Sequence, residues 1–379
     1  MNSNKRLKIG IVCYPSVGGS GVVGTELGHE LASRGHEVHF ITYEIPFRLR
    51  MEEKNIYFHE VSVSEYDLFK YPDYALTLAV KIAQVSKCWQ LDVLHVHYAI
   101  PHATSAYLAK EILNRKPKER PFIVTTLHGT DITLVGAEPF YLPIVKFSIE
   151  KSCKVTAVSA ALKEETEKLF SLKKPIEVIY NFFSPKKEWV GNKQARNEFV
   201  KGDEKLILHS SNFRPIKRPL DLLRIFQKIQ MRLPAKLLLL GSGPGVEEIR
   251  QEATRLDLVE HLYFLGQSRD IDPYIAASDL FLLPSSQESF GLAALESLAY
   301  GVPVVASGSG GLPEVIENGK TGFYCQTGDI EGMANAAVTL LTNPELYQTF
   351  SDRAKVSAQR FYPDRIVPLY EAIYQSTCS

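Results

Sequence analysis

Residues 286–296 read SQESFGLAALE and follow the apolar run 280–283, LFLL, after Pro284 and Ser285. The apolar run predicts a buried strand, and the segment after it predicts a helix with Glu288 at its start and Glu296 one or two turns further on. A helix start offers unpaired backbone N–H groups and the positive end of the helix dipole, which suit a phosphate. Carboxylates accept hydrogen bonds from hydroxyl groups. The stretch therefore predicts a nucleotide-sugar site, with a diphosphate on the amides, a sugar on Glu288 and a ribose on Glu296.

The same strand-and-helix pattern runs through both halves of the 379-residue chain, whose length exceeds that of one ordinary hydrophobic core. Apolar runs that alternate with helix-length segments lie at 8–14, 37–42, 93–96, 122–126, 155–158, 177–180, 206–209, 236–240, 262–265, 280–283 and 303–306. Such runs predict parallel sheets covered on both faces. The predicted fold class is α/β, with two doubly wound Rossmann-like domains.

The join between the domains is predicted near residues 181–192, where Pro185 and Gly191 interrupt the periodicity. This gives an N-terminal domain of residues 1–183 plus 361–379 and a C-terminal domain of residues 184–360. Pro363 and Pro368 are expected to break the last helical segment, so that the tail returns to the first domain. Ligands of such sheets lie beyond the carboxyl ends of the strands, so we expect the domains to face an interdomain cleft that holds the chemistry.

Composition narrows the choice of partners. The 43 basic and 43 acidic residues cancel, which gives no general field for nucleic acid or an anionic membrane. The five cysteines are scattered and never in C-x-x-C spacing, which indicates reduced thiols and a cytoplasmic protein. The sequence contains no apolar run of about 20 residues, the length that spans a bilayer. Small-molecule substrates are therefore expected, and the oligomeric state stays open, a homodimer included.

A glycine-rich loop, residues 18–24 (GGSGVVG), follows the first predicted strand. Gly19, Gly21 and Gly24 form G-x-G-x-x-G, and Glu44 is expected to end the next strand. This is the dinucleotide fingerprint, so a nicotinamide-dependent oxidoreductase with Glu44 on the ribose is one interpretation. In a second interpretation, the backbone amides of the loop approach a diphosphate or an acceptor carboxylate. In a third, the loop is a purely structural tight turn.

Three loops of the second half carry residue types that suit a nucleotide. Residues 211–218 (SNFRPIKR) place three cations after a strand, where Lys217 could neutralise a leaving diphosphate, although a solvated basic loop is the alternative. Residues 241–245 read GSGPG and follow a four-leucine strand, and residues 308–314 read GSGGLPE.

In this order, those three loops and the Glu288–Glu296 pair resemble the retaining GT-B glycosyltransferases of family 4. The resemblance implies an arginine and a lysine on the loop 211–218. A gap-free alignment on Lys217 puts Asn212 at the arginine position, and Arg214 is the other candidate for its role. The donor-binding residues that the resemblance and the helix start imply are Gly19, Asn212, Arg214, Lys217, Gly241, Gly243, Glu288, Phe290, Gly291, Leu292 and Glu296.

The first half adds a specific likeness within that family. Residues 127–131 (LHGTD) resemble its His-Gly-x-Asp element, whose histidine reaches the donor sugar or the acceptor. Residues 13–21, 39–42, 45–48, 97–103 and 125–133 resemble the branch that transfers N-acetylglucosamine from UDP-N-acetylglucosamine to L-malate, the first step of bacillithiol synthesis. The implied acceptor-binding residues are Ser20, Gly21, Tyr98, Thr126 and His128. The implied catalytic residues are Lys217, Arg214, Glu288 and His128.

Two further motifs raise the question of a metal. We expect His95 and His97 to point to opposite faces of their strand, which disfavours a shared zinc ion. The D-x-D of Asp270 and Asp272 precedes Pro273, and we interpret it as a helix cap. No metal and no other cofactor is therefore expected. A family 4 enzyme with another small acceptor or a lipid acceptor at a membrane surface, and the nicotinamide-dependent oxidoreductase, remain alternatives.

Overall fold

The computed structural model describes residues 6–63, 73–116, 119–136 and 138–378. The chain forms two compact units, one of Met1–Tyr180 with Asp364–Ser379 and one of Asn181–Pro363. The sequence-based boundaries were 183/184 and 360/361, and the assignment of acceptor and donor binding to the two units stays a prediction. None of the described helices is long and apolar enough to cross a bilayer.

In its described part, the first unit is a seven-stranded parallel sheet of order β3-β2-β1-β4-β5-β6-β7. Its elements are β1 (Lys8–Val12), α1 (Ser20–Ser33), β2 (Glu37–Thr42), β3 (Ile56–Glu60), α2 (Tyr74–Trp89), β4 (Val93–His97), α3 (Thr104–Ile112), β5 (Phe122–Leu127), α4 (Leu142–Lys151), β6 (Lys154–Ala157), α5 (Ala160–Phe170) and β7 (Ile176–Val178).

The second unit is a six-stranded parallel sheet of order β10-β9-β8-β11-β12-β13. Its elements are β8 (Lys205–Ser210), α6 (Pro219–Gln230), β9 (Ala235–Leu240), α7 (Gly245–Arg255), β10 (Leu262–Gly266), α8 (Asp272–Ala277), β11 (Leu280–Leu283), α9 (Leu292–Ala299), β12 (Val304–Ser307), α10 (Leu312–Val315), β13 (Gly322–Cys325), α11 (Ile330–Thr342) and α12 (Pro344–Ala358).

The two predicted doubly wound α/β domains are confirmed. Central strands such as β4 and β11 are buried along their whole length, because helices cover both faces of each sheet. The edge strands β3 and β13 were missed. The sequence of β3, IYFHE, ends in two polar residues, and that of β13, GFYC, begins with glycine. Neither strand therefore shows a long apolar run.

Both sheets reverse their strand order at one place. The reversal lies between β1 and β4 in the first unit and between β8 and β11 in the second. At such a switch point the loops that follow the two strands diverge, and the crevice between them is where ligands of this fold class bind. The loops after β1, β4, β8 and β11 are therefore the places to look for chemistry.

The C-terminal helix α13 (Pro363–Cys378) packs with residues of the first unit. The hydroxyl of Tyr374 lies 2.7 Å from His95 Nδ1, and Glu371 Oε1 lies 3.1 Å from His36 Nε2. The expected break at Pro368 is wrong, because Pro368 lies inside the helix. Pro363 opens the helix, a position where the missing N–H costs nothing.

Candidate active site

Two glycine loops hold the second unit's switch-point loops by close backbone contact. A Cβ on Gly241 would lie 2.0 Å from Ser211 O, and one on Gly243 would lie 1.8 Å from Asn212 O. Neither position has room for a side chain, so the loop after β9 can support the backbone of the loop after β8 only with glycine there.

The loop after β12 supports Glu288 in the same way. Gly311 N donates to Glu288 O at 2.8 Å, and a Cβ on Gly310 would lie 1.9 Å from that oxygen. Ser286 N also donates to Ile216 O at 2.8 Å, which ties the loop after β11 to the loop after β8. The family-like segments around residues 211, 241, 288 and 310 are thus one connected surface.

Lys217 and Glu288 meet at the centre of this surface. Lys217 Nζ lies 2.6 Å from Glu288 Oε1, and the two side chains are only 17% and 11% exposed. The pair spans the β8/β11 switch point. A partly buried ammonium beside a carboxylate suits a sugar diphosphate. The ammonium can balance the charge of the diphosphate, and the carboxylate can accept hydrogen bonds from sugar hydroxyls.

The helix after β11 begins later than the sequence suggests. Helix α9 starts at Leu292, and Gly291 before it has φ +94°. The predicted place of Glu288 at the helix start is therefore wrong: Glu288 lies in the preceding loop. A Cβ on Gly291 would lie 2.4 Å from Leu312 Cδ2, so a side chain does not fit there, and the positive φ of this residue keeps it out of the helix. Phe290 is buried, and Glu296 is buried within α9.

Of the two other cations of the loop after β8, Arg218 is in an ion pair and Arg214 is exposed. Arg218 Nε donates to Asp221 Oδ2 at 2.5 Å, so its charge is used at the start of α6. Arg214 and Asn212 are exposed at the loop surface. Arg214 is thus the loop's second available cation, while the Asn212 carbonyl packs against Gly243.

In the first unit, Ser20 and Tyr98 join the two sides of the β1/β4 switch point. Ser20 Oγ donates to Tyr98 Oη at 2.8 Å, and Tyr98 N donates to Thr126 O at 2.9 Å. Tyr98 has φ +88°, an unusual value for a residue with a side chain, and burial raises its pKa to about 12. Its hydroxyl is therefore protonated at physiological pH.

His128 and Asp131 follow β5, next to Tyr98. The rings of Tyr98 and His128 lie 5.2 Å apart. Asp131 Oδ2 accepts from Ala99 N at 2.8 Å, and its Oδ1 accepts from Gly129 N at 3.1 Å and from His128 N at 3.3 Å. One buried carboxylate thus ties the loop after β4 to the loop after β5. The sequence motif contained this aspartate, but its clamping role was missed.

Thr126 lies deeper than the other proposed acceptor residues. Its side chain is fully buried, and its Oγ1 lies 2.7 Å from both His95 Nε2 and Thr156 Oγ1. The hydroxyl already has partners, so we interpret Thr126 as a support for the strand end and its carbonyl as the anchor of Tyr98.

The glycines at the β1-to-α1 turn have two different roles: Gly19 adopts a positive φ, whereas Gly21 and Gly24, in the first turns of α1, allow close packing. Gly19 has φ +56° and precedes α1, a Cβ on Gly21 would lie 2.6 Å from Tyr14 O, and one on Gly24 would lie 3.1 Å from Cys13 Cβ. The expected place of Glu44 is wrong, because β2 ends at Thr42 and Glu44 is exposed beyond it. The loop therefore fits a tight strand-to-helix turn.

The expectation for His95 and His97 is also wrong. Alternate residues of a strand share a face, and the two rings stack with centroids 4.5 Å apart. Across the described ranges of the chain, no three His, Cys, Asp or Glu side chains are grouped so that they could hold a metal ion.

The D-x-D motif is not a helix cap. Asp272 is the first residue of α8, and neither aspartate caps the helix with its side chain. Lys186 Nζ lies 2.8 Å from Asp270 Oδ1 and 3.0 Å from Asp272 Oδ2, and Tyr300 donates to Asp272 Oδ1 at 2.6 Å. The motif instead ties Lys186 to α8 and to the end of α9.

We expect replacement of Asp131 by Asn to remove a pH-dependent part of the stability. Burial raises the pKa of Asp131 to about 6, against the opposing effect of its backbone N–H partners. The folded state therefore binds more protons than the unfolded state between about pH 4 and pH 6. The contribution of Asp131 to the free energy of unfolding is largest below that window and falls by about 1 to 3 kcal/mol as the pH rises through it.

Urea unfolding of wild type and Asp131→Asn at pH 4.5 and at pH 6.5 tests this. The free energy of unfolding of wild type minus that of the variant should be larger at the lower pH. An equal difference at both pH values would contradict the raised pKa.

The two sheets and their switch-point loops match a known fold. HepE of Anabaena, solved in complex with UDP and glucose, superposes with a TM-score of 0.82 over 98% of this chain and 100% of its own, at 21% identity. At that identity the likeness shows the fold alone, which is the GT-B fold of glycosyltransferases.

Sequence comparison then gives the family. Residues 17–187 match the family model described as Glycosyltransferase Family 4, and residues 191–357 match the one described as Glycosyl transferases group 1. N-acetyl-alpha-D-glucosaminyl L-malate synthase of Bacillus anthracis is 48% identical over 97% of both chains. An uncharacterized glycosyltransferase of Methanocaldococcus jannaschii is 30% identical over 84% of this chain and 85% of its own. The chain belongs to the family 4 glycosyltransferases, which confirms the resemblance seen in its motifs.

Proposed function

We propose that the chain is a retaining glycosyltransferase that moves N-acetylglucosamine from UDP-N-acetylglucosamine to the hydroxyl of L-malate, as the first step of bacillithiol synthesis. The observation that carries the proposal is the 48% identity, over 97% of both chains, to a synthase with that product. The partly buried Lys217–Glu288 pair at the β8/β11 switch point supports the donor half. For the nicotinamide alternative, Glu44 lies exposed two residues beyond the end of β2, so it does not end that strand as this alternative expected.

The second unit supplies the residues that we assign to the donor. Lys217, with Arg214 as a second cation, neutralises the diphosphate, and the backbone amides of residues 290–292 bind its oxygens. Glu288 accepts from sugar hydroxyls and Glu296 from the ribose. Asn212, Gly241 and Gly243 shape the surface on which the nucleotide lies, because their backbones pack together.

The proposed chemistry is substitution on the front face of the sugar. The bond between the anomeric carbon and the diphosphate oxygen breaks, and a bond to the malate hydroxyl oxygen forms on the same side. The leaving diphosphate, whose charge Lys217 balances, accepts the hydroxyl proton. Because the new bond forms on the face from which the diphosphate departs, the α-configuration is retained, and neither a protein nucleophile nor a metal takes part in this proposal. The coupling constant of the anomeric proton in the product, measured by NMR, tests the configuration, and a β-linked product would contradict it.

On the acceptor side, we expect Tyr98→Phe to raise the KM for L-malate about tenfold and to leave the KM for UDP-N-acetylglucosamine unchanged. Ser20 donates to Tyr98 Oη, and the side chain of Thr130 also hydrogen-bonds with that hydroxyl. In this proposal the tyrosine turns its own proton to a malate carboxylate, together with the amides near Ser20 and Gly21. Steady-state kinetics with each substrate varied in turn measures both constants.

Tyr57→Phe is the matched control, because Tyr57 lies in β3 and stacks on His39. It should leave both constants unchanged. An unaltered KM for malate in Tyr98→Phe would remove Tyr98 from the acceptor site.

Two binding experiments separate this proposal from its alternatives. In calorimetry we expect UDP-N-acetylglucosamine to bind and NADH not to bind. In sedimentation at low salt we expect the protein not to co-sediment with anionic liposomes. Binding of NADH in place of the sugar nucleotide would favour the oxidoreductase, and co-sedimentation would favour a lipid acceptor. A cytoplasmic location stays a prediction, and the oligomeric state stays open.

A further inference from the structure

His128, at the end of β5, contacts His97 of β4. His97 Nδ1 lies 2.8 Å from His128 Nε2, and the two rings stack with centroids 5.0 Å apart. Burial and neighbouring histidines lower the pKa of His97 well below its usual value, and burial together with His102 lowers the pKa of His128 to about 3. Both imidazoles are therefore neutral at physiological pH. In a neutral pair, one of the two facing nitrogens donates and the other accepts.

The surroundings of His97 decide which nitrogen donates. Within the described part of the chain, His97 Nε2 is buried and has no hydrogen-bond partner. On that side it faces α1, where a Cβ on Gly24 would lie 3.2 Å from His97 Nε2. A proton on Nε2 would be a buried donor without an acceptor, which costs about 1–3 kcal/mol. A proton on Nδ1 has His128 Nε2 as its acceptor.

His97 is also held firmly in place. His102 Nδ1 donates to the carbonyl oxygen of His97 at 2.5 Å. The ring of His95 stacks on it at 4.5 Å, and His95 is fixed in turn by Thr126 and Tyr374. The ring of His97 thus has little freedom to turn away from His128.

We propose that His97 is a positioning residue that sets the tautomer of His128. His97 donates through Nδ1 to His128 Nε2, so His128 carries its own proton on Nδ1. No partner binds His128 Nδ1 among the residues that the structure describes, and His128 is not fully buried. His128 therefore presents an N–H donor to a ligand oxygen, and it cannot take the proton of the acceptor hydroxyl through that nitrogen. The assignment of that oxygen to the donor sugar or to malate rests on the proposed function, whereas the tautomer does not.

Histidine NMR tests the tautomer directly. In the full-length chain labelled with ¹⁵N-histidine, two-bond ¹H–¹⁵N correlations distinguish a protonated Nδ1 from a protonated Nε2. Spectra of His97 and His128 variants assign the two rings. We expect both His97 and His128 to carry the proton on Nδ1 between pH 6 and pH 8. A His128 protonated on Nε2 would overturn the proposal.

Three substitutions of His97 test its effect on the reaction. His97→Asn keeps an amide near the position of Nδ1, His97→Gln moves the amide towards the position of Nε2, and His97→Phe has neither. We expect kcat/KM to stay within about threefold of wild type in His97→Asn and to fall about tenfold or more in the other two, at equal melting temperatures. Equal activity of His97→Asn and His97→Phe would overturn the role of His97. If wild type itself transfers no sugar to malate, the proposed function fails, and the NMR spectra still decide the tautomer.

Discussion

Replacement of Lys217 by Ala should lower kcat/KM for sugar transfer by about 10²-fold or more. The loss should lie mainly in kcat, because negative charge grows on the diphosphate as its bond to the sugar breaks, and we propose that the Lys217 ammonium at the β8/β11 switch point balances it. The substitution also leaves Glu288, only 11% exposed, without its ion-pair partner, which disfavours the approach of an anionic donor. Steady-state kinetics with UDP release as the signal measures the effect.

Lys228→Ala is the matched control for this experiment. Lys228 lies on α6 of the same unit and pairs with Glu331 at 2.6 Å, but its side chain is 41% exposed. Its removal should leave kcat/KM unchanged, since exposed pairs contribute little. An equal effect of the two substitutions, or an unchanged kcat/KM in Lys217→Ala, would reject the role of Lys217.

Glu288→Gln should produce the second large loss, again about 10²-fold in kcat/KM. Glutamine keeps the size of the side chain but loses the charge that holds Lys217, and a neutral amide is a weaker acceptor for the sugar hydroxyls. Glu331→Gln changes the exposed ion-pair partner of Lys228 and is the matched control. It should leave kcat/KM unchanged.

The double variant Lys217→Ala/Glu288→Gln shows whether the two residues act as a unit. Their side chains touch at 2.6 Å, so we expect the combined loss to be smaller than the product of the single losses. Losses that multiply would mean that the two groups act independently and would contradict the joint site.

Most of the fold could be predicted from the sequence because buried parallel strands are apolar on both faces. The runs around β4, β8, β9 and β11 are of this kind, and the structure places strands there. The strands β3 and β13 lie at sheet edges, and their short sequences IYFHE and GFYC lack that signal, so they were missed. The edge strands β7 and β10 were predicted, because apolar residues do run through 177–180 and 262–265.

The residues of the candidate site were named from separate motifs, but their geometry depended on details that single motifs do not carry. The seven-residue spacing between Glu288 and Glu296 suggested one continuous helix, whereas Gly291 adopts φ +94° and delays the helix to Leu292. The Lys217–Glu288 contact joins residues 71 positions apart. Only the strand order, with β8 beside β11, brings them together.

The histidines show an inference that strand geometry could have supplied. His95 and His97 are two residues apart in one strand, so the alternation of side chains puts them on the same face. Applied correctly, that rule predicts that the two rings share a face, where they stack on each other and where His97 also stacks on His128. The direction of the shared proton also depends on Gly24, which lies in another element, and no motif would have revealed it.

The central claim, transfer of N-acetylglucosamine from UDP-N-acetylglucosamine to L-malate, is tested most directly by mass spectrometry. The purified chain is mixed with both substrates, and a parallel sample contains EDTA. We predict a new species with the mass of the malate glycoside, together with free UDP, in both samples. Absence of the glycoside while UDP-N-acetylglucosamine still binds in calorimetry would contradict malate as the acceptor, and product only in the sample without EDTA would contradict the metal-free mechanism.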